Sequence, residues 1–375
     1  MIKKIIMPIL ILSFTLTSCA DPSAGTGVPD FFGNVKAVSA GSTHTAAIDK
    51  DGKIYTWGSN DYGKLGDGTN TDRSAPGELA GEFAQYKWKA VSAGYIHTTA
   101  IREDKDDLAN DGKIYTWGSN SAGQLGDGTT DNRYVPGELG GGFAGHKWKA
   151  VSAGGSSSIS GSHTAAIDKD GKIYTWGSNN NGELGRNLSS DNNLFPGELA
   201  GEFAQYKWKA VSAGNNYTAA IREDKDNLAN DGKIYTWGYN GNDQLGDPAV
   251  AVSRNVPGEL GGGFAGHKWK AVSAGVGHTA AIDENGKIYA WGSNSYGQLG
   301  DDTNIDRKVP VLITSVPGTW IEISAGGYII ANTEAHTVAI KKDFVLWSWG
   351  KNDNGQLGDG TTTTRFKPYR VIESW

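Results

Sequence analysis

The sequence predicts an all-β protein, a six-bladed β-propeller whose ring is closed by strands from the N- and C-termini. Three observations support this prediction. A ten-residue phrase containing Trp-Gly occurs six times, a Ser-Ala-Gly triplet also occurs six times, and successive Trp-Gly pairs lie 54 to 61 residues apart. Repeats of this length with strand-like patterning are typical of propellers and other repeat architectures.

The Trp-Gly phrase reads Asp-Gly-Lys-Ile-Tyr-Thr-Trp-Gly-Ser-Asn at residues 51–60. It returns unchanged at residues 111–120 and 170–179, with close copies at residues 231–240, 285–294 and 343–352. Its tryptophans are Trp57, Trp117, Trp176, Trp237, Trp291 and Trp349. A tryptophan can bury ~150–250 Å² between sheets, and Asp-Gly favours a hairpin turn. We therefore interpret the phrase as scaffold. The alternative of six identical active sites is disfavoured because the constant residues have little acid–base capacity.

Four short strands are expected in each repeat. In the second repeat, residues 88–94 (Trp-Lys-Ala-Val-Ser-Ala-Gly) alternate between apolar and polar or small residues, and residues 97–101 and 112–118 continue this pattern. A fourth strand is expected around the Pro-x-x-Leu segment at residues 136–139. Glycine and Asn-Asp-Gly punctuate these segments, and no stretch has a sustained helical period. Four strands repeated around an axis form the blades of a propeller.

The two ends of the repeat region suggest how the ring closes. A tryptophan precedes five of the six Ser-Ala-Gly triplets, but Val35 holds this position before the first triplet. Residues 365–375 match the part of a repeat that leads up to this tryptophan, and they include Trp375. We therefore expect the C-terminal segment to supply a strand that the N-terminal repeat lacks, which would pair two otherwise open sheet edges.

The order of these motifs resembles a known repeat. Val-Ser-Ala-Gly-x-x-His-Thr-x-Ala-Ile is followed by the Trp-Gly phrase, then by Gly-Gln-Leu-Gly-Asp-Gly-Thr and Pro-x-x-Leu. This order is similar to the repeat of the regulator of chromosome condensation family, over residues 35–375. The resemblance implies a propeller of that type and, as one alternative function, a regulator like the family founder, a guanine-nucleotide exchange factor. The founder has seven shorter repeats and is nuclear, whereas this chain has six repeats and a signal for export.

Residues 1–33 differ in composition from the repeats. Residues 1–18 contain Lys3 and Lys4, then an apolar run too short for a stable membrane span, and Cys19 follows Leu-Thr-Ser. This layout resembles a bacterial lipoprotein signal, in which the cysteine is lipidated and becomes the first mature residue. The alternative is an ordinary signal peptide. Residues 19–33 are expected to be a flexible tether and residues 34–375 the propeller. We expect an exported protein of the outer membrane or cell surface, in contact with the membrane only through its lipid.

Composition and motifs argue against several functions. The net charge of −6 and pI of about 5.7 provide no basic surplus for nucleic acid. The sequence has no phosphate-binding loop, Gly-x-Ser-x-Gly or His-Glu-x-x-His motif, and Cys19 is its single cysteine. We expect no catalytic residue, metal or cofactor, and a monomer. A propeller enzyme, such as a lyase or glycosidase, stays a further alternative because the fold hosts both.

Two sets of residues could be mistaken for metal ligands. One repeat position holds His44, His97, His163, His278 and His336, with Tyr217 in the fourth repeat. Equivalent positions are spread around a ring, so these residues are expected to be structural. The acidic loops at residues 103–111 and 223–231 could offer oxygen ligands to calcium. Because Leu108 and Leu228 interrupt the EF-hand order, charged hairpin tips are favoured, and calcium binding stays open.

Variation between the repeats is concentrated in the loops after Ser-Ala-Gly and after Trp-Gly. The up-and-down order of strands places both loops on one face of the ring. A constant frame that carries varied loops favours a binding surface over unselected drift. The candidate binding residues are Tyr62, Tyr95, Ile96, Asn215, Asn216, Tyr239, Tyr296, Tyr328 and Ile329. The expected ligand is a protein or a glycan.

Overall fold

The protein forms six four-stranded antiparallel sheets arranged around a central channel. The structure, a computed structural model, describes residues 34–155, 161–188, 192–330 and 332–371. Within these residues, 24 strands follow one another in chain order, four to each sheet. The predicted all-β, six-bladed propeller is confirmed.

The strands are numbered in chain order. Blade 1 contains β1 (Val35–Ala40), β2 (His44–Asp49), β3 (Ile54–Gly58) and β4 (Arg73–Glu78). Blade 2 contains β5 (Lys87–Ala93), β6 (His97–Glu103), β7 (Ile114–Gly118) and β8 (Arg133–Glu138). Blade 3 contains β9 (Trp148–Ala153), β10 (His163–Asp168), β11 (Ile173–Ser178) and β12 (Asn192–Glu198). Blade 4 contains β13 (Lys207–Ala213), β14 (Tyr217–Glu223), β15 (Ile234–Tyr239) and β16 (Ser253–Glu259).

Blades 5 and 6 complete the ring. Blade 5 contains β17 (Trp269–Ala274), β18 (His278–Asp283), β19 (Ile288–Gly292) and β20 (Arg307–Leu312). Blade 6 contains β21 (Trp320–Ile330), β22 (Asn332–Lys341), β23 (Leu346–Gly350) and β24 (Arg365–Arg370). Short 3-10 helices lie at Asp61–Gly63, Gly81–Gln85 and Gly201–Gln205.

The four segments predicted for the second repeat coincide with the four strands of blade 2. The alternation in β7 explains how one strand serves two neighbouring blades. Ile114 packs with Trp148 of blade 3, whereas Tyr115 and Trp117 pack with Ile54 of blade 1. All three side chains are buried. The third strand is therefore apolar on both faces, as expected for a sheet covered on both sides.

The hydrophobic core lies between neighbouring blades. Five of the Trp-Gly tryptophans are fully buried there, and each indole N–H donates to a carbonyl of the preceding blade. The bonds run from Trp117 to Lys64, from Trp176 to Gln124, from Trp237 to Glu183, from Trp291 to Gln244 and from Trp349 to Gln298, over 2.8–2.9 Å. Buried indole N–H groups need such partners. The constant tryptophan thus packs and aligns each blade on the one before it.

The outer strand of every blade carries a proline. These residues are Pro76, Pro136, Pro196, Pro257, Pro310 and Pro368. Proline has no backbone N–H to offer to an approaching strand, so it protects an exposed sheet edge from pairing with another chain.

The predicted exchange of a strand between the termini is wrong. β24 pairs with β23, with Arg370 opposite Trp347, whereas β1 pairs with β2, with Val35 opposite Asp49. The terminal strands therefore lie in different sheets. Val35 begins a complete inner strand, so the first repeat lacks one tryptophan side chain and no strand. Residues 372–375, which include Trp375, lie outside the described residues.

Candidate binding face around the central channel

The loops that follow the first and third strands of each blade emerge on the same side of the ring, which we call the loop face. In every blade, one backbone hydrogen bond joins these two loops. Each bond runs from a backbone N–H of the second loop to a backbone carbonyl of the first. The bonds run from Ser59 to Thr43, from Ser119 to Ile96, from Ser178 to Ser162, from Tyr239 to Asn216, from Ser293 to Gly277 and from Lys351 to Ala335. The loop face is therefore a continuous surface with the same backbone frame in all six blades.

The glycine of Trp-Gly makes this close approach of the two loops possible. Gly58 has a φ of 107°, and a Cβ added there would lie 2.5 Å from the carbonyl oxygen of Thr43. The equivalent atom at Gly118 would lie 2.7 Å from the oxygen of Ile96. Any larger residue would push the loops apart, so this constant glycine shapes the loop face.

The asparagine that ends the Trp-Gly phrase organises the second loop. Asn60 Oδ1 accepts from the N–H of Leu65 over 2.9 Å, and Asn60 Nδ2 donates to Asp67 Oδ1 over 3.0 Å. Asn120, Asn294 and Asn352 make the same pair of contacts. The constant residues of these loops are therefore occupied by internal hydrogen bonds, and the variable residues are displayed on a rigid frame.

The central channel opens on the loop face. Its cavity of about 310 Å³ is lined by the inner strands of all six blades. Its rim is formed by Ser42, Tyr95, Gly155, Asn215, Val276 and Gly327. Asn215 is buried, and its Oδ1 has no hydrogen-bond partner in the described part of the chain. The rim therefore combines a half-buried aromatic side chain with a buried amide.

Of the predicted residues after Ser-Ala-Gly, Tyr95 and Asn215 line this rim. Tyr95 is half-buried at the channel mouth. Ile96 is only 5% exposed, so little of its side chain is available to a ligand. Asn216 has a φ of 59°, a conformation that asparagine tolerates better than most residues. Tyr328 and Ile329 extend the β21–β22 hairpin, and their backbones pair with residues 333 and 334.

The predicted tyrosines after Trp-Gly do not line the central channel. Tyr62, Tyr239 and Tyr296 are all half-buried. Lys351 of blade 6 lies with its Nζ 4.7 Å from the ring centroid of Tyr296 in blade 5. The candidates thus include residues on the channel rim and residues away from it. Their role in ligand binding stays a prediction.

One position beneath the loop face escaped the sequence analysis. It holds Lys64, Gln124, Glu183, Gln244, Gln298 and Gln356 in the six blades. Glu183 is fully buried and accepts from Ser178 Oγ over 2.8 Å and from the N–H of Asn181 over 2.7 Å. Burial raises the pKa of this carboxyl. In blade 1, burial lowers the pKa of the Lys64 ammonium group. A change of charge at one nearly constant repeat position was the signal that could have revealed both groups.

The repeated histidines join neighbouring blades. Each Nε2 lies 2.8–3.0 Å from a threonine Oγ1 of the next blade, in the pairs His44 with Thr98, His97 with Thr164, His163 with Thr218 and His278 with Thr337. Tyr217 replaces the histidine in blade 4, and its hydroxyl lies 2.9 Å from Thr279 Oγ1. Burial lowers the pKa of these four histidines to about 3. They are neutral connectors between sheets, placed one to a seam.

The acidic loops lie on the opposite face, at the tips of the β6–β7 and β14–β15 hairpins. Their carboxylates already have partners, since Asp104 lies 2.6 Å from Arg102 and Asp111 lies 3.1 Å from Lys89. Across the described residues, no group of three or more His, Cys, Asp or Glu side chains is placed to hold a metal ion.

Cys19 and the expected signal and tether, residues 1–33, lie outside the described residues. In the part of the chain that the structure describes, no helix is both long and apolar enough to cross a membrane.

Comparison with known families gives three matches. The model of the RCC1-like domain matches residues 108–374. Two models of the regulator of chromosome condensation (RCC1) repeat match residues 51–101 and 35–64.

Individual proteins are similar over most of the chain. The ultraviolet-B receptor UVR8 of Arabidopsis thaliana is 30% identical over 339 residues, which cover 90% of this chain and 70% of UVR8. Human WBSCR16 aligns with a TM-score of 0.74 and 19% identity, covering 90% of this chain and 81% of its own. Yeast RCC1 (Prp20), whose structure contains bound Kap60, aligns with a TM-score of 0.71 and 21% identity, covering 91% and 76%. The two structural likenesses concern the fold.

Proposed function

The chain belongs to the family of RCC1-like propellers, and we propose that it is a binding module, tethered to the cell envelope through Cys19, that recognises a protein with its loop face. The observation that carries this proposal is the contrast on that face between a constant frame and variable loops. Six identical backbone bonds join the loops, whereas the residues on the channel rim differ from blade to blade.

The chemistry of the channel favours binding over catalysis. The residues that line it are Val, Ser, Ala and Gly of the inner strands, together with Tyr95 and Asn215. This lining includes no Asp, Glu, His, Lys or Arg, so within the described residues it offers no group for general acid–base chemistry near pH 7. The cavity of about 310 Å³ can accept a single protruding side chain, whereas a larger ligand would rest on the surrounding loops.

The composition of the loops supports a protein ligand. Tyrosine and asparagine are common in binding loops, because tyrosine offers a large contact area with few rotatable bonds and asparagine adapts its hydrogen bonds. Yeast RCC1, which contains a propeller of this fold, has Kap60 bound in its structure, and this supports a protein partner for the present chain. A glycan would use the same aromatic surfaces, and the experiment below separates the two ligands.

Membership of this family suggests a second function. A regulator of nucleotide exchange on a GTPase would also use a propeller face. Such a regulator needs a cytosolic GTPase as its partner. The lipoprotein signal expected at residues 1–19 would place the protein outside the cytosol, which argues against this function. Stimulated release of labelled GDP from a GTPase captured by the propeller would favour the regulator.

The proposed function can be tested by capture from envelope extracts. The chain from residue 20 to residue 375, which comprises the tether without Cys19 and the propeller, is immobilised, and the material that it retains is compared with that retained by the Tyr95→Ala/Tyr328→Ala variant. We expect the wild-type chain to retain a protein that the Tyr95→Ala/Tyr328→Ala variant does not retain. Treatment of the extract with glycosidase should not abolish this retention. Retention that is equal on both columns, or that disappears only after glycosidase treatment, would contradict a protein ligand on the loop face.

A further inference from the structure

Three large apolar side chains are exposed on the side of the ring opposite the loop face. We call this side the hairpin face, because the hairpins between the second and third strands of the blades end there. Leu108 lies in the β6–β7 hairpin, Leu228 in the β14–β15 hairpin and Phe344 in the β22–β23 hairpin. Their exposed fractions are 74%, 68% and 76%, the highest among the large apolar residues that the structure describes. They belong to blades 2, 4 and 6 and therefore alternate around the ring.

The two leucines occupy matching positions at the tips of long hairpins. The β6–β7 and β14–β15 connections are longer than those of the other four blades. The Leu108 carbonyl accepts from Lys147 Nζ over 2.9 Å, and the Leu228 carbonyl accepts from Lys268 Nζ. Each lysine directly precedes the first strand of the next blade. The position of each leucine is therefore fixed by a bond to the neighbouring blade.

Hydrogen bonds within each tip satisfy backbone groups beside the leucine. The N–H of Asp107 donates to Asp104 Oδ1 over 2.8 Å, and the N–H of Ala109 donates to Asp107 Oδ1 over 3.0 Å. The same two bonds recur in the other tip, from Asn227 to Asp224 and from Ala229 to Asn227. Backbone groups that already have partners can approach a nonpolar phase at a lower cost. The tips are therefore suited to bring leucine to such a phase.

Phe344 stands where the other hairpins have glycine. Its counterparts in blades 1 to 5 are Gly52, Gly112, Gly171, Gly232 and Gly286. These glycines have φ between 75° and 89°, and Phe344 has a φ of 61°, in the left-handed region that bulky residues rarely adopt. A phenylalanine that is strained and largely exposed contributes little to folding. Its presence favours a contact with another molecule or phase.

Charges of both signs precede each apolar tip. The exposed pairs are Lys105 and Asp106, Lys225 and Asp226, and Lys342 and Asp343. A zwitterionic phospholipid headgroup carries a phosphate and an ammonium group, so it offers a partner to both members of a pair. The hydrocarbon layer below the headgroups favours the apolar side chain. The three tips thus match the chemistry of a zwitterionic bilayer surface.

The path of the chain places the expected lipid anchor on the same side. Asn34, the first described residue, lies beside the β2–β3 hairpin, because its carbonyl accepts from the N–H of Lys50 over 2.7 Å. Residues 19–33 lie outside the described residues and join Asn34 to Cys19, and a chain of this length spans at most about 50 Å. A lipid at Cys19 would therefore attach the ring from the side of its hairpin face.

We propose that the hairpin face docks on a phospholipid bilayer, with Leu108, Leu228 and Phe344 inserted among the headgroups. This inference rests on the proposed anchoring of the chain through Cys19. The anchor keeps the tips at a high local concentration beside the bilayer, so weak apolar contacts suffice to orient the ring. Contacts at alternate blades hold the ring against the surface and direct the loop face away from it, toward its protein partner.

Single-cysteine labelling measures which face meets the bilayer. The chain from residue 20 to residue 375 has no cysteine, so Leu108→Cys, Leu228→Cys and Phe344→Cys each provide one site for a fluorophore. Val252→Cys and Ile305→Cys are matched controls in loops of the loop face, where these residues are 64% and 58% exposed. An N-terminal hexahistidine tag replaces the lipid and attaches each protein to phosphatidylcholine vesicles that contain a chelating lipid.

The readout is quenching of the fluorophore by a nitroxide carried on the lipid chains. Quenching should be at least about threefold stronger at the three tips than at the two controls, because only the tips enter the bilayer. Release of the protein from the vesicles with imidazole should abolish the difference. Equal quenching at all five sites, or stronger quenching at Val252→Cys and Ile305→Cys, would overturn the proposal.

A variant without the apolar tips provides the second measurement. Leu108→Ser/Leu228→Ser/Phe344→Gly keeps the fold, since glycine is the residue of the other hairpins at the strained position. A fluorophore at Ala109→Cys, beside Leu108, should be quenched at least about threefold less in this triple variant than in its parent. Unchanged quenching would contradict insertion of the tips.

The same triple variant distinguishes a bilayer from a protein on the hairpin face. In the capture experiment it should retain the same protein as the wild type. Loss of that protein would assign the apolar tips to a protein contact and overturn docking on lipid. Because the tag replaces the lipid, mass spectrometry of the N-terminus and capture by the loop face test the anchor and the partner separately. A failure of docking is therefore distinguishable from a failure of the proposed function.

Discussion

His278 Nε2 lies 2.9 Å from Thr337 Oγ1 and ties blade 5 to blade 6 through a bond between two buried side chains. Its equivalents at three other seams use the same pair of residue types, and Tyr217 makes the corresponding contact in blade 4. Each bond requires a neutral imidazole inside the protein, because burial disfavours the charged ring. The ring is therefore held together by groups that acid can protonate once the chain unfolds.

We expect stability to fall steeply in mild acid. The pKa of His97, like that of its three equivalents, is lowered by burial from 6.5 to about 3. The stabilisation that follows is complete above about pH 6.5 and is lost as pH falls from there toward 3. Each histidine contributes about 1.4 kcal/mol per pH unit in this window. Urea denaturation between pH 7 and pH 5 measures the slope.

A single substitution separates the histidines from other acid effects. His97→Tyr copies the residue found at Tyr217 and removes one titrating imidazole. The free energy of unfolding should then lose about 1.4 kcal/mol less per pH unit than in the wild type. An unchanged slope would show that the histidines do not control acid stability.

Glu183→Gln should stabilise the protein at neutral pH. Burial raises the pKa of the Glu183 carboxyl, so the folded state favours its protonated form. The wild type therefore loses stability as pH rises through that pKa, and glutamine, which Gln124 and Gln298 show to fit the position, does not. We expect a gain on the order of 1 kcal/mol at pH 7–8 that shrinks toward pH 4, from urea denaturation. Gln124→Glu is the matched reverse change and should destabilise at neutral pH; equal stability of all three proteins would contradict the argument.

Cys19→Ser should prevent the lipidation that we propose for this chain. The wild type is expected to partition into detergent and to begin at a lipid-modified Cys19, whereas the variant should partition into water. Mass spectrometry of the N-terminal peptide distinguishes the two forms. An unmodified mature N-terminus in the wild type would refute the lipid anchor.

The sequence predicted the blades well because each strand repeats a local pattern. The segments at residues 88–94, 97–101 and 112–118 overlap β5, β6 and β7. The exchange of a strand between the termini was predicted wrongly because the missing tryptophan at Val35 was interpreted as a missing strand. Which strand pairs with β24 depends on contacts in three dimensions, where β24 joins β23 of its own repeat.

The location of the proposed binding face was predictable from the sequence, but the exposure of its side chains was not. Strand order alone places the loops after Ser-Ala-Gly and Trp-Gly on one side of the ring. The six backbone hydrogen bonds that join these loops confirm that they lie on the same side. Side-chain exposure was not predictable, since Ile96 is buried although it directly follows Tyr95 of the channel rim. The burial of Glu183 likewise depends on the neighbouring blade.

The most direct test of the account compares the two faces of the ring by measuring affinity for the captured partner. Tyr95→Ala/Tyr328→Ala should weaken binding at least ~30-fold, if the two aromatic contacts together contribute about 2 kcal/mol. Asp104→Ala/Asp224→Ala, on the acidic hairpins of the opposite face, should leave affinity within about twofold. Circular dichroism should show both variants folded. If the aspartate pair weakens binding and the tyrosine pair leaves it unchanged, the ligand binds the opposite face and the proposed binding surface is wrong.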